Sequence, residues 1–91
     1  MKENKYLPIG TIVQLNDQKE KIMICGRQQI DLDTKEEYDY IGCEYPYGLD
    51  GENAMLFNGE QVELVYFIGY QDLDELNYRL QLMSKNEEQE K

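Results

Sequence analysis

The stretch VELVYFIGYQDLDELNYRLQLM, residues 62–83, decides the fold because it places the strongest strand signal of the chain beside a well-marked helix signal. Residues 62–68 are rich in β-branched and aromatic side chains, as strands are, and Gly69 ends the run. The apolar residues that follow recur at helical spacing. A strand that leads into a helix in this way predicts a domain that combines a sheet with a C-terminal helix.

The predicted helix begins after Asp72, a favourable N-cap residue, with Glu75 at the capping-box position and Asp74 in the first turn. Its apolar residues form one stripe, called here the helix stripe: Leu73, Leu76, Leu80 and Met83. We expect the helix stripe to lie buried across the sheet. Residues 85–91 are polar and charged, and we expect them to form a frayed tail.

Four further strand-like segments precede this stretch: residues 11–15, 21–26, 38–45 and 54–57. The first two flank a polar turn and are expected to pair as a hairpin. After the fourth, Asn58 either caps a brief helical turn with Gln61 in the capping-box position or forms a tight hairpin with Gly59.

The fold class predicted from these segments is α+β, in a single domain over residues 1–84. We expect a twisted, mostly antiparallel sheet of about five strands that can curl toward a half-barrel, with the C-terminal helix packed on one face.

The segment 28–37 holds four acidic residues and one lysine, and it is predicted to be a solvated loop. Asp31 and Asp33 begin like a calcium-binding loop, but Lys35 stands at a ligand position and Gly42 stands where such a loop needs a glutamate. We therefore expect no metal site and no cofactor. Arg27 lies among acidic neighbours and is expected to tie this loop down by an ion pair.

The net charge of −10 arises from 19 acidic and 9 basic residues spread along the chain. Such a chain repels phosphate backbones and anionic membrane surfaces, so we expect neither a nucleic-acid partner nor a membrane partner. An acidic surface can attract a basic protein, or it can serve solubility alone. Since no apolar run approaches the roughly 20 residues of a membrane-spanning helix and residues 1–5 are unlike a signal peptide, we expect a cytoplasmic protein.

The chain contains no histidine, which removes the Ser/His/Asp and Cys/His arrangements of nucleophilic enzymes. Its carboxylates fall in loops or on outer faces, and its glycines follow no phosphate-binding pattern. Cys25 and Cys43 each lie inside an apolar strand, where a free thiol behaves as a small buried hydrophobe. A disulfide is geometrically possible if those strands are neighbours, but a reducing compartment disfavours it. We expect no catalytic residues and no enzyme activity.

The chain holds eight tyrosines and no tryptophan, and several tyrosines cluster around the third strand-like segment. Tyrosine supplies a large, rigid contact area, so this cluster is the candidate protein-binding site. The alternative is that tyrosines, which are common in strands, simply cover an outer sheet face. The candidate residues are Tyr38, Tyr40, Tyr45, Pro46 and Tyr47.

Four short motifs carry a resemblance to a known family: Leu7-Pro8-Ile9-Gly10-Thr11, Gly26-Arg27, Tyr45-Pro46-x-Gly48 and Phe67-x-Gly69-Tyr70-x-Asp72. In order and wording they resemble the small Firmicute family called domain of unknown function 4176, whose members are typically encoded beside LXG-motif toxins of the type VII secretion system. The resemblance implies a cytoplasmic adaptor, chaperone or targeting factor that binds the N-terminal targeting region of a cognate LXG toxin.

Two alternative functions stay open beside the adaptor. The first is an immunity protein that binds and inhibits the toxin's C-terminal domain, and strong acidity would suit inhibition of a basic nuclease. The second is a protein-interaction module unrelated to secretion.

Overall fold

The computed structural model describes residues 6–90, with side chains as far as residue 84; the polar segment 1–5 and residue 91 lie outside it. The elements, in chain order, are β1 (Ile12–Leu15), β2 (Lys21–Ile30), β3 (Glu37–Glu44), β4 (Met55–Phe57), a 3-10 turn (Gly59–Gln61), β5 (Val62–Phe67) and α1 (Leu73–Glu90). The strands form one open antiparallel sheet in the order β4-β3-β2-β1-β5. This architecture confirms the predicted α+β class, and fraying of segment 85–91 stays a prediction.

The connection between β4 and β5 is a helical turn. The Asn58 N–H donates to the side-chain oxygen of Gln61 at 2.9 Å, and the Gln61 N–H donates to the Asn58 carbonyl at 3.0 Å. The Asn58 side-chain oxygen in turn accepts the Asp39 N–H at 2.9 Å, which ties the turn to β3. Of the two alternatives open from the sequence, the structure therefore has the capped helical turn.

β2 extends to Ile30, so the predicted loop 28–37 is reduced to the turn 31–36. The extension pairs with β3 through Arg27↔Tyr40 and Gln29↔Tyr38. Backbone pairing overrides the low strand propensity of this polar segment, since propensity in strands depends strongly on context. The remaining turn is closed by the Asp31 carboxylate, which accepts backbone N–H bonds from residues 33 and 34.

A β-bulge changes which side chains of β2 face the core. Ile24 is paired with Gly42 and Gly26 with Ile41, so Cys25 is an extra residue without a counterpart in β3. Residues paired across a ladder lie on the same face of the sheet. Arg27, paired with Tyr40, therefore lies on the same face as Ile24, whereas regular alternation would place it on the opposite face.

The core lies on the sheet face that carries Tyr40. The rings of Tyr40 and Phe57 are 5.3 Å apart, and the Tyr40 hydroxyl accepts the Leu7 N–H at 2.9 Å. Burial raises the pKa of the Tyr40 hydroxyl, although its backbone hydrogen bonds and the Arg27 charge oppose the shift. The buried cluster comprises Val13, Leu15, Ile22, Ile24, Tyr40, Phe57 and Val62.

The chain that leaves β5 is held against the start of β1. The Gly69 N–H donates to the Thr11 hydroxyl at 3.0 Å, and Thr11 is fully buried. A Cβ on Gly69 would overlap the Ile9 carbonyl and approach the Thr11 nitrogen to 3.0 Å. This close backbone approach holds the chain between β5 and α1 against residues 9 and 11, and it leaves no room for a side chain at residue 69.

α1 begins with the predicted cap, since the Asp72 carboxylate accepts the Glu75 N–H at 3.0 Å. Within the described residues, no helix combines the length and apolar character that crossing a membrane requires.

Replacing Gly69 with Ala is expected to lower the free energy of unfolding by about 2 kcal/mol or more, because the backbone near Ile9 must shift to admit the methyl group. Gly51→Ala is the matched control, since nothing lies within 4 Å of a Cβ at that position. Urea unfolding followed by circular dichroism measures both variants. Equal stabilities for the two variants would contradict the close approach of residues 69 and 9.

Candidate protein-binding surfaces

The helix stripe faces solvent, which corrects the prediction that it packs on the sheet. The exposed fractions of its side chains are 76% for Leu73, 42% for Leu76, 61% for Leu80 and 42% for Met83. The side of α1 that turns toward the body of the protein instead carries Glu75, Arg79 and Leu82, of which Leu82 is only 2% exposed. At 100° per residue, the centre of the helix stripe is rotated about the helix axis by about 110° from the centre of that inward side.

The contact that orients α1 is an ion pair between β2 and the first turn of the helix. The Arg27 guanidinium donates two parallel hydrogen bonds to the Glu75 carboxylate, each 2.8 Å long. The exposed fractions of the two side chains are 3% and 11%. Arg27 also donates to the Tyr6 carbonyl at 3.1 Å and lies 5.3 Å from the ring centre of Tyr78. The predicted ion pair of Arg27 therefore exists, but its partner is the helix and not the acidic loop.

The Glu75 carboxylate accepts hydrogen bonds from two arginines, and these contacts lower its pKa. Burial alone would raise the pKa of Glu75, but hydrogen bonds from Arg27 and Arg79, together with their positive charges, hold that pKa below its usual range. Arg79 lies one turn further along α1, 3.0 Å from Glu75, and it also donates to Gln71 at 2.6 Å. The carboxylate is consequently ionised at neutral pH and is committed to a structural contact.

The turn at residues 45–47, called here the tyrosine corner, is the second exposed surface. Tyr45 and Tyr47 are 44% and 77% exposed, and Pro46 between them is exposed as well. The N–H groups of Tyr47 and Gly48 both donate to the Glu44 carbonyl at 3.0 Å, which fixes the turn to the end of β3. The tyrosine corner is accessible to a partner, and its participation in binding stays a prediction.

The two remaining tyrosines of the predicted site lie elsewhere. Tyr40 is 1% exposed and belongs to the core, so its place in an exposed binding surface was predicted wrongly. The reason is that β3 carries bulky residues on both faces, and its tyrosine face is the one that packs inward. Tyr38 lies on the same face near the start of β3 and is half-buried. Of the five predicted residues, only residues 45–47 therefore form an exposed group.

The two cysteines lie on neighbouring strands, as a disulfide would require, and both are free thiols. Their sulfurs are 3.3 Å apart, in hydrogen-bonding distance. Burial, followed by the hydrogen bond and the charge of Cys43, raises the pKa of Cys25 from 9.0 to about 11. A thiol with so high a pKa is a poor nucleophile at neutral pH, because the thiolate is the reactive form.

Residues with metal-binding chemistry do not gather in the part of the chain that the structure describes, where no group of three or more Cys, Asp and Glu side chains could hold an ion. The Asp31 carboxylate, which begins the calcium-like pattern, bonds the backbone of its own turn.

Comparison with known proteins gives one match. The family model described as "Domain of unknown function (DUF4176)" matches residues 6–78, which is most of the chain. No curated protein and no solved structure matches the chain.

Replacing Glu75 with Gln is expected to lower the free energy of unfolding by about 3 kcal/mol at neutral pH, because the buried Arg27 charge would lose its anionic partner. Arg79→Gln is the control and should cost about 0.5 kcal/mol, since Arg79 is more exposed and forms an i,i+4 pair. Equal costs for the two variants in urea titrations would mean that Arg27 does not hold the helix.

Comparing the wild type with Glu75→Gln at several pH values gives a second test of the Arg27–Glu75 ion pair. Because the pKa of Glu75 is lower in the folded state, its contribution to stability is present above the unfolded-state pKa of about 4.3 and is lost as pH falls through the folded-state value. The stability difference between the wild type and Glu75→Gln should be constant near neutrality and shrink in acid. A difference that stays constant under acidic conditions in which both proteins remain folded would contradict the ion pair.

Proposed function

Because the chain belongs to the DUF4176 family, we propose that it is a non-enzymatic cytoplasmic adaptor or chaperone that binds a cognate LXG-motif toxin for type VII secretion. The observation that carries the proposal is the outward-facing helix stripe. Four large apolar side chains on successive turns of one helix remain exposed, although the same helix is anchored by polar residues. Exposed apolar groups arranged in this way are typical of protein-binding surfaces.

The rest of the molecule supports binding better than catalysis. The chain has no histidine, and Glu75, a carboxylate in a largely buried setting, is engaged by two arginines. The thiol of Cys25 has a raised pKa, which opposes the thiolate that covalent catalysis needs.

Charge restricts the partners that the proposal admits. With a net charge of −10, the protein repels nucleic acids and anionic lipids at long range and attracts basic protein surfaces. We therefore propose a protein partner, the N-terminal targeting region of the toxin, with neither a nucleic-acid nor a membrane partner.

A second candidate function is an immunity protein that binds the toxin's C-terminal domain. Strong acidity favours this candidate, because an acidic inhibitor can cover the positively charged substrate site of a nuclease. The two functions differ in which half of the toxin is bound and in whether binding protects the cell.

The separating experiment is co-purification of the tagged protein with the N-terminal and C-terminal halves of the genetically adjacent toxin, each expressed alone. We expect capture of the N-terminal half and no protection of cells from toxicity. Capture of only the C-terminal half, with protection, would establish the immunity function instead.

The tyrosine corner is tested in the same assay. If the corner is a hot spot, Tyr47→Ser should weaken the binding free energy for the toxin's N-terminal half by about 2 kcal/mol, which appears as reduced capture. Leu32→Ser is the control, since Leu32 is 79% exposed and lies in the turn at the other end of β3. Equal capture by the two variants would remove the corner from the interface.

A further inference from the structure

The two cysteines of the chain are in direct contact, and the proposed function makes no use of them. The sulfurs of Cys25 and Cys43 are 3.3 Å apart, and both thiols are free. A disulfide requires sulfurs about 2.05 Å apart, so bond formation needs them to approach by only about 1.3 Å. Because the sequence contains no third cysteine, these two thiols form the one intramolecular pair available.

The contact occurs at the β-bulge in β2. Regular pairing would place Cys25 opposite Ile41, two residues from Cys43 along β3. Gly26 takes that position instead, so Cys25 has no residue directly opposite, and its side chain lies against Cys43. A bond between the two sulfurs would therefore connect the extra residue of the bulge to the neighbouring strand.

The two thiols differ in exposure to solvent. Cys25 is partly exposed, whereas the exposed fraction of Cys43 is 0%. A dissolved disulfide can therefore reach Cys25, while the group that reaches the Cys43 sulfur is Cys25 itself. In thiol–disulfide exchange this difference sets the order of reaction, with Cys25 reacting first and Cys43 second.

We propose that Cys25 and Cys43 form a reversible intramolecular disulfide when the protein meets a low-molecular-weight disulfide, and that this bond fixes the bulge of β2. The Cys25 thiolate attacks the donor disulfide, and one donor thiol leaves. The Cys43 thiol then loses its proton and attacks the Cys25 sulfur, and the second donor thiol leaves. The two protein thiols give up two electrons and two protons, which the donor gains as it becomes two thiols. This inference goes beyond the proposed function and does not rest on it.

The redox environment decides which form is present. A reducing compartment keeps both groups as thiols, and the partly exposed Cys25 leaves the bond open to attack by a reductant. Burial, together with Cys43, raises the pKa of Cys25 to about 11, so the thiolate fraction at neutral pH is small and the first exchange is slow. The bond therefore forms during prolonged exposure to an oxidising environment and not during a brief one.

The bond would act on the part of β2 that positions the helix. Arg27 lies two residues beyond Cys25, and its pairing with Tyr40 follows from the register that the bulge sets. A covalent link from Cys25 to β3 holds that register. The oxidised protein therefore keeps Arg27 on the core face, where it contacts Glu75.

Incubating the reduced, purified full chain with excess glutathione disulfide in mildly alkaline buffer tests whether the bond forms. Mass spectrometry should show a monomer that has lost two hydrogen atoms and carries no glutathione, and maleimide should find no thiol after unfolding. Cys43→Ala should retain one glutathione on Cys25, whereas folded Cys25→Ala should retain its buried free thiol. A wild-type chain that keeps two thiols, retains glutathione or forms disulfide-linked dimers would overturn the inference, even if Cys43→Ala fails to fold.

A second experiment asks whether the fold brings the two sulfurs together. In glutathione redox buffers, the ratio of disulfide to dithiol should be about tenfold or more higher for the native chain than for the chain unfolded in urea. By linkage the bond favours folding by the same factor, so oxidation should raise the thermal midpoint by about 5 °C or more, and reduction should reverse the rise. Equal ratios for the native and unfolded chains would overturn the inference.

Hydrogen exchange tests whether the bond fixes the bulge. Oxidation should slow amide exchange at residues 23–27 of β2 and 40–43 of β3, because the link opposes local separation of the two strands. Cys25→Ala treated with the same oxidant is the control and should exchange at an unchanged rate. Unchanged or faster exchange at these amides in the oxidised wild type would overturn the link between the bond and the bulge.

Discussion

The structure depends on one buried ion pair, between Arg27 of β2 and Glu75 in the first turn of α1. Two further features accompany this pair: the bulge at Cys25 places Arg27 on the core face, and the contact of Gly69 with residues 9 and 11 holds the chain that leads into the helix. A buried pair seldom adds much net stability over apolar packing, but losing one partner is costly. Its principal effect here is orientation, because it selects which side of α1 faces the sheet.

Local sequence patterns predicted the elements but not the orientation of the helix. The strands, the cap at Asp72 and the C-terminal helix are marked by short-range signals, namely β-branched runs and capping residues. The direction of Arg27 depends on a single extra residue in β2, and a bulge reverses the facing of every residue beyond it. The usual rule for amphipathic helices predicts that the apolar side of α1 faces the core, but the ion pair turns the side that carries Glu75 inward instead.

The tyrosines show the same limit at the level of single residues. Tyr40 and Tyr47 are chemically identical and lie within one short segment, yet Tyr40 is 1% exposed and Tyr47 is 77% exposed. Alternation could not separate them, since β3 pairs with strands on both sides and carries Ile41 and Cys43 opposite Tyr40. Turn chemistry did identify the corner, because Pro46 and Gly48 end the strand and leave its tyrosines outside.

The negative charge of the protein determines which molecules can approach the exposed helix stripe. An apolar stripe on an uncharged protein would favour association between copies, whereas a net charge of −10 opposes the approach of a like molecule. The same charge accelerates the approach of a basic partner, and that selectivity is strongest at low salt. An anchored helix also avoids most of the entropy that a free peptide loses when it orders on binding. The ion pair that leaves the stripe exposed therefore also makes it a preorganised surface for a partner.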